Sequence, residues 1–372
     1  MANNRIFYAC QAVAVAPCPD DDNFTVLHGV QSVGINSSFN LEQVFELGQI
    51  QIYENIEGVP DVELTIEKVL DGYPLMYRLC SRKPNGDDPG NTLVERTKNK
   101  CCVVLGIWPD DKDVVSGQAP QEVYMSGMYI NSITYTLPVD GNCTESVTLV
   151  GNHKVWNPSA QKFGSSLAFP TNTEWNYAGS GSIPKNMQQN FIAGGVQRRE
   201  NVDMSLSVIP KSILASYGLL VVAGTGNNWD STLKTPKTHI QNITISTDLG
   251  REDILELGKR MPYYRAPNFP VEVTSEIEVI SISGDMVNAY EDGRPDFNDT
   301  ANEGSNTEQE EIVVSLQDGT RFDLGKKNRL SSVTFGGGDA GGGNASMTFS
   351  YVTYNTLTVD GPHGNDGEDA PL

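Results

Sequence analysis

The chain repeats itself, and this constrains its fold more than any other feature. Val30-Gln31-Ser32-Val33-Gly34-Ile35-Asn36 and Ile240-Gln241-Asn242-Ile243-Thr244-Ile245-Ser246 alternate aliphatic and polar residues at a separation of 210 positions. At the same separation LEQVFELG (Leu41–Gly48) meets REDILELG (Arg251–Gly258), with Glu42/Glu252, Glu46/Glu256, Leu47/Leu257 and Gly48/Gly258 identical. A second block recurs at a separation near 200: Ile130–Tyr135 with Leu330–Phe335, then Glu145–Leu149 with Ala345–Phe349. Two blocks in one order at nearly one separation describe two homologous units. These run over 1–156 and 238–356, joined by a connecting insertion with loops over 157–237. A flexible acidic C-terminal tail is expected over 357–372.

Both units predict the same elements. A strand (Gly29–Asn36; Ile240–Thr247) leads into one amphipathic helix. Leu41, Val44, Phe45 and Leu47 fall near i, i+3, i+4 spacing, and Ile254, Leu255 and Leu257 do likewise. Gly48 and Gly258 stand where a helix-terminating glycine belongs. Strands follow over Val62–Leu70 and Val271–Ser283, then Cys102–Ile107 and Ile312–Leu316. Each unit ends in a long hairpin, Tyr129–Leu137 with Ser146–Val150 and Ser331–Phe335 with Ser346–Thr353. The expected fold class is mainly β: two tandem homologous β-sandwich or barrel domains, each with one flanking α-helix. Pro210–Tyr217 reads as a short helix, Leu219–Ala223 as a strand and Asp292–Glu311 as an acidic surface loop.

With 372 residues the chain is long enough for two cores, and no window approaches the roughly 18 apolar residues of a membrane span. Against 26 Lys and Arg stand 47 Asp and Glu, a net charge of −21. Such a surface repels phosphate backbones, which excludes sequence-specific nucleic-acid recognition. The six cysteines show no CxxC and no zinc spacing, so they read as thiols of a reducing compartment. Vicinal Cys101-Cys102 opens the apolar run CCVVLGIW as buried strand thiols. Arg5 with IFYACQAVAVAP imitates a signal peptide, but Gln11 interrupts the run and its composition suits a strand.

Catalytic signatures are missing from the sequence. His28, His153, His239 and His363 form no paired-ligand motif, and His28 and His239 precede equivalent strands, which marks a repeated structural position. Gly336–Gly338 and Gly341–Gly343 lack the GK[ST] of a phosphate loop and lie in a hairpin turn. Asp20-Asp21-Asp22 and Asp110-Asp111 lack the alternation of a calcium loop. The chain therefore reads as a non-enzyme without cofactor or metal. Val196–Glu200 is one compact basic spot, which makes Arg198 and Arg199 candidates for contact with an acidic neighbouring subunit.

Four stretches resemble tail tube (major tail) proteins of tailed bacteriophages. They are FNLEQVFELGQIQIYENIEGVPDVELTIEKVLDGYP (Phe39–Pro74), INSITYTLPVDGNCTESVTLVGNHKVW (Ile130–Trp156), GGVQRRENVD (Gly194–Asp203) and LGREDILELGKRMPYYRAPNFPVEVTSEIEVIS (Leu249–Ser281). The resemblance implies subunit sheets that join into a continuous inner barrel, in stacked rings of sixfold character through which the genome passes during ejection. The duplication departs from the simplest tube proteins, so a ring is expected from three chains with pseudo-sixfold symmetry, or from six chains. The resemblance also implies a place in the virion tail, with host cytoplasm as the site of assembly. Sheath, tail terminator, tape measure and baseplate proteins are the partners it implies; DNA would pass without specific binding, and no membrane is involved. Alternation then assigns Ser132, Thr134, Ser332 and Thr334 to the lumen, with Ile133 and Val333 facing the core. The rival reading is a secreted or surface β-sandwich adhesin or carbohydrate-binding module.

Overall fold

The computed structural model describes residues 11–19, 24–48, 50–83, 92–109, 119–158, 195–204, 206–216, 238–282, 310–337 and 343–361, besides Ile6, Gly90 and Lys162. Strands β1 (Gln11–Pro17), β2 (Thr25–Val26), β3 (Val30–Ser38), β4 (Leu41–Phe45), β5 (Ile52–Glu57) and β6 (Asp61–Val69) precede helices α1 (Met76–Cys80) and α2 (Leu93–Arg96). Next come β7 (Cys101–Ile107), the 18-residue β8 (Gln121–Pro138), β9 (Thr144–Gly151), β10 (His153–Trp156) and helix α3 (Lys211–Ser216). The later strands are β11 (Ile240–Asp248), β12 (Glu252–Ile254), β13 (Tyr264–Ala266), β14 (Glu272–Ile280) and β15 (Val313–Ser315). β16 (Arg321–Asp323), β17 (Arg329–Gly336), β18 (Ser346–Tyr354) and β19 (Thr358–Asp360) end the series. The protein is mainly β.

Alternating apolar residues drive most long strands into one antiparallel sheet, ordered β3-β6-β9-β8-β11-β14-β18-β17. Its apolar face packs on a second layer. Over the first half that layer is β1, β7, β10 and the start of β8, with α1 against β1 and β8. Over the second half it includes the small sheet β15-β16-β19. β8 belongs to both layers, pairing with β7 through its first half and with β9 and β11 through its second. The bend falls at Gly127, whose φ of +68° a side-chain-bearing residue adopts only with strain.

The core is continuous from one half to the other. Tyr135 and Phe322 meet across it with ring centroids 4.5 Å apart. Among the buried acidic side chains Glu145 is the most enclosed. Glu145 is fully buried and accepts from the Met76 amide at 2.7 Å, the Tyr77 amide at 3.0 Å and the Tyr135 hydroxyl at 3.0 Å. It thereby satisfies amides that the first turn of α1 leaves without an intrahelical acceptor. Burial pushes its carboxyl above the usual range, and these three donors and Lys68 pull the other way.

The expected helices over Leu41–Leu47 and Arg251–Leu257 are not present. Those segments form hairpins, β4 with β5 and β12 with β13. The apolar spacing there is short enough to fit either period, and the return strand IYENIE supplies β-branched and aromatic pairing partners. Asn40 closes the first hairpin: its amide donates to the Val59 carbonyl and to Asp61, while Gly58 donates to its carbonyl. Gly48 and Gly258 are left-handed in the hairpin turns, at φ of +94° and +82°, instead of ending helices. The apolar residues consequently face outward, with Phe45 64 % and Leu255 71 % exposed. Phe45→Asp and Leu255→Asp are therefore expected to fold normally, with a stability in urea within about 0.5 kcal/mol of the parent. Loss of soluble protein in both would mean that these faces are covered within the chain.

Further expectations change. Cys102 is not a free thiol: it is disulfide-bonded to Cys18, bridging β7 to the end of β1 across 84 residues of sequence. Cys80, Cys101 and Cys143 are buried and free. Cross-linking so long a loop restricts the unfolded chain, so Cys18→Ser with Cys102→Ser is expected to lower stability by about 2–4 kcal/mol. Equal urea midpoints with and without dithiothreitol would refute this. The start of the expected C-terminal tail is also ordered, since Thr358–Asp360 form β19 with Val359 buried. Part of the expected insertion is packed as well. Gln197 donates to the Leu70 carbonyl, accepts from the Cys143 amide, and α3 lies where the short helix is expected. Leu219–Ala223, Asp20–Asp22, Asp110-Asp111, nearly all of Asp292–Glu311 and residues 362–372 lie outside the described residues.

Candidate functional site

The two halves of the main sheet share one pairing scheme. In the first half Val33 pairs with Ile66, which pairs in turn with Val147; in the second Ile243 pairs with Ile277, which pairs in turn with Phe349. The bulge between Val30 and Ser32 recurs between Ile240 and Asn242. The bulge between Ile130 and Ser132 recurs between Leu330 and Ser332. Tyr129 opposes Val150, and Arg329 opposes Val352. By these registers Val147 corresponds to Phe349, two positions on from Met347, its match in the sequence repeat.

The halves join head to tail. β8, which ends the first group, pairs with β11, which begins the second, through Ile245–Tyr135, Ser246–Thr134 and Asp248–Ser132. Among the described residues the outer edges, β3 and β17, pair with no further strand. Burial follows this difference. Tyr135 at the closed junction is 0 % exposed, whereas its counterpart Phe335 on β17 is 53 % exposed. Ile243 and Ile245 are buried, while Val33 and Ile35 on β3 are half-buried. Rows of unpaired amides and carbonyls beside half-covered apolar residues are templates for another strand.

The second face of the sheet is polar. Ser132, Thr134, Ser332 and Thr334 all stand on it, half-buried on β8 and exposed on β17, opposite the buried Ile133 and half-buried Val333. Cross-strand partners extend the same chemistry: Thr134 opposes Ser146 and Ser246, and Thr334 opposes Thr348. Glu63, Glu67, Glu276 and Glu278 add negative charge to this face. Its central rungs carry no lysine or arginine; Arg265, bonded to Asp61 at 2.6 Å, and Arg329 stand at one end.

Arg198 and Arg199 lie elsewhere, exposed beside the β8–β9 turn. Arg198 donates to Asn142 Oδ1 at 3.1 Å, so the chain's own turn already holds it. His28 stacks on Tyr73 at 4.1 Å, and burial lowers its pKa to about 4. Among the described residues no three His, Cys, Asp or Glu side chains converge as a metal site, and no helix is long and apolar enough to cross a membrane.

No protein-family model matches the chain, and neither does any curated protein. Several solved structures are similar over 42 % of it. A chain of the sheath-tube complex of the PVC extracellular contractile injection system, in its extended state, aligns over 93 % of its own length with 12 % identity and a TM-score of 0.30. A chain of the anti-feeding prophage cap, which terminates its tube, aligns over 93 % of its length with 10 % identity and a TM-score of 0.30. A chain of the anti-feeding prophage baseplate aligns over 97 % with 11 % identity and a TM-score of 0.31. Likeness at this level decides neither family nor role, so the functional reading rests on the sheet itself.

Proposed function

We propose that the chain is a non-enzymatic structural subunit of a phage-type tail tube, made of two copies of one tube-building unit. One observation carries the reading. The β8–β11 junction inside the chain is a finished example of the junction that β17 could make with β3 of the next copy. Transposed to the open edges, Ile245–Tyr135 becomes Ile35–Phe335 and Ser246–Thr134 becomes Asn36–Thr334. Such pairing buries Phe335 and leaves no edge free. Three chains then supply a barrel of about 24 strands, roughly 45–50 Å across at the backbone for a spacing of about 4.8 Å and a tilt of about 40°. That is wide enough to pass duplex DNA.

In this ring the polar face lines the lumen. Hydroxyls and carboxylates offer phosphates no counter-charge, so DNA slides through unbound. Stacked rings form the conduit within the virion tail, and tail terminator, tape measure, baseplate and any sheath are its expected neighbours. Electron microscopy of the purified chain tests the role, with rings or tubes expected. Asn36→Cys combined with Thr334→Cys tests the register, because directly opposed strand residues lie within disulfide reach. Oxidation is expected to link chains into a covalent ladder that ends at the ring's chain number. A monomer that neither forms rings nor cross-links would overturn the reading.

A further inference from the structure

The junction inside the chain is held by more than strand pairing, and the second hairpin supplies the rest. From the rim of β12–β13, Arg251 donates to the Ile130 carbonyl at 2.5 Å and the Thr97 carbonyl at 2.6 Å, and its guanidinium lies 4.9 Å from the centre of the Tyr129 ring. Tyr264 meets Tyr129 edge-on with centroids 5.8 Å apart. Arg265 donates to Asp61 at 2.6 Å and forms an ion pair with Asp253 at 3.0 Å. The hairpin thus leans from the second half across the junction onto the first.

The first hairpin has the same register. Glu42 opposes Ile56 as Glu252 opposes Ala266, and Val44 opposes Glu54 as Ile254 opposes Tyr264. Glu54 therefore takes the place of Tyr264, Leu41 that of Arg251 and Asn55 that of Arg265. On the receiving side Arg329 takes the place of Tyr129, because each opposes the equivalent valine on its partner strand. The tyrosine pair of the closed junction maps onto a glutamate and an arginine, both exposed. The charged set around Arg265 maps onto Asn55, Gln43 and Glu272, which brings no like charges together.

We propose that hairpin β4–β5 clasps a second copy of this chain, with Glu54 paired to that copy's Arg329 and the exposed Leu41 lying across the joint where Arg251 lies in the closed one. The proposal rests on the head-to-tail reading above. It makes the ring's two kinds of joint chemically different: arginine-held within a chain, and joined by one ion pair beside an apolar contact between chains. Opposed charges of this kind fix which surfaces meet and in which register.

Charge exchange in the full-length chain tests it, with sedimentation to measure association. Glu54→Arg and Arg329→Glu are each expected to weaken self-association about tenfold, since each sets like charges together. The double variant is expected to return to within about twofold of the parent. Both sites are exposed, so all three variants should melt as the parent does. If the parent associates but the single variants associate equally well, or the double variant is no better than either, the clasp is overturned and the ring reading stands. If the parent stays monomeric, the ring reading falls and takes the clasp with it.

Discussion

Thr134→Lys combined with Thr334→Lys is expected to turn an inert channel into one that grips DNA. Both residues stand on the polar face with exposed or half-exposed side chains, so the substitutions should change stability by no more than about 1 kcal/mol. Assembly should also persist, because the apolar face that packs on the second layer is untouched. In a three-chain ring the lumen gains about six ammonium groups where it had hydroxyls. Roughly six phosphate contacts make binding steeply salt-dependent, with affinity falling by about a thousandfold between 50 and 200 mM salt. Filter retention of DNA by assembled tubes, measured against salt, checks this; the parent tubes should retain none. Variants that fail to fold would place this row against the core, and intact tubes that ignore DNA would remove the row from the lumen.

Loss of the Glu145 carboxylate is expected to destabilise the fold more than any surface change. Its oxygens accept from two backbone amides at the start of α1 and from the Tyr135 hydroxyl, all within the core. Glu145→Ala strands these three donors without water, and a buried unsatisfied donor costs about 1–3 kcal/mol. Removing the carboxylate also relieves the cost of burying its charge, which offsets part of that loss. A net loss of roughly 3–5 kcal/mol follows, a large fraction of a typical stability of about 5–15 kcal/mol. Urea denaturation measures it, and a loss below about 1 kcal/mol would show that α1 finds other acceptors. Because Tyr135 also packs on Phe322, the damage should reach the second half of the molecule.

Local pattern is enough to find most of the main sheet. Alternation of period two marks one buried and one open face, and a one-residue slip would reverse them, so strands such as Val30–Ser38 and Ser346–Tyr354 are legible directly. The same rule, applied to the alternation alone, puts Ser132, Thr134, Ser332 and Thr334 on one face, where they stand. Helical spacing, by contrast, misleads over Leu41–Leu47 and Arg251–Leu257, which hold strands β4 and β12. Those apolar residues are not there to be buried within the chain, so their spacing carries no information about an internal core.

Chain order, repeat spacing, strand faces and acidity were determined by the sequence alone, because each depends on neighbours along the chain. Tertiary structure decided what depends on neighbours in space. It brought Cys18 to Cys102 across 84 residues, took Glu145 into the core, and set β8 beside β11 so that the two halves meet head to tail. It also left β3 and β17 open, and with them Phe335 uncovered where Tyr135 is sealed. Strand neighbours are chosen by loop closure and shared core packing over long separations, and no local period records that choice.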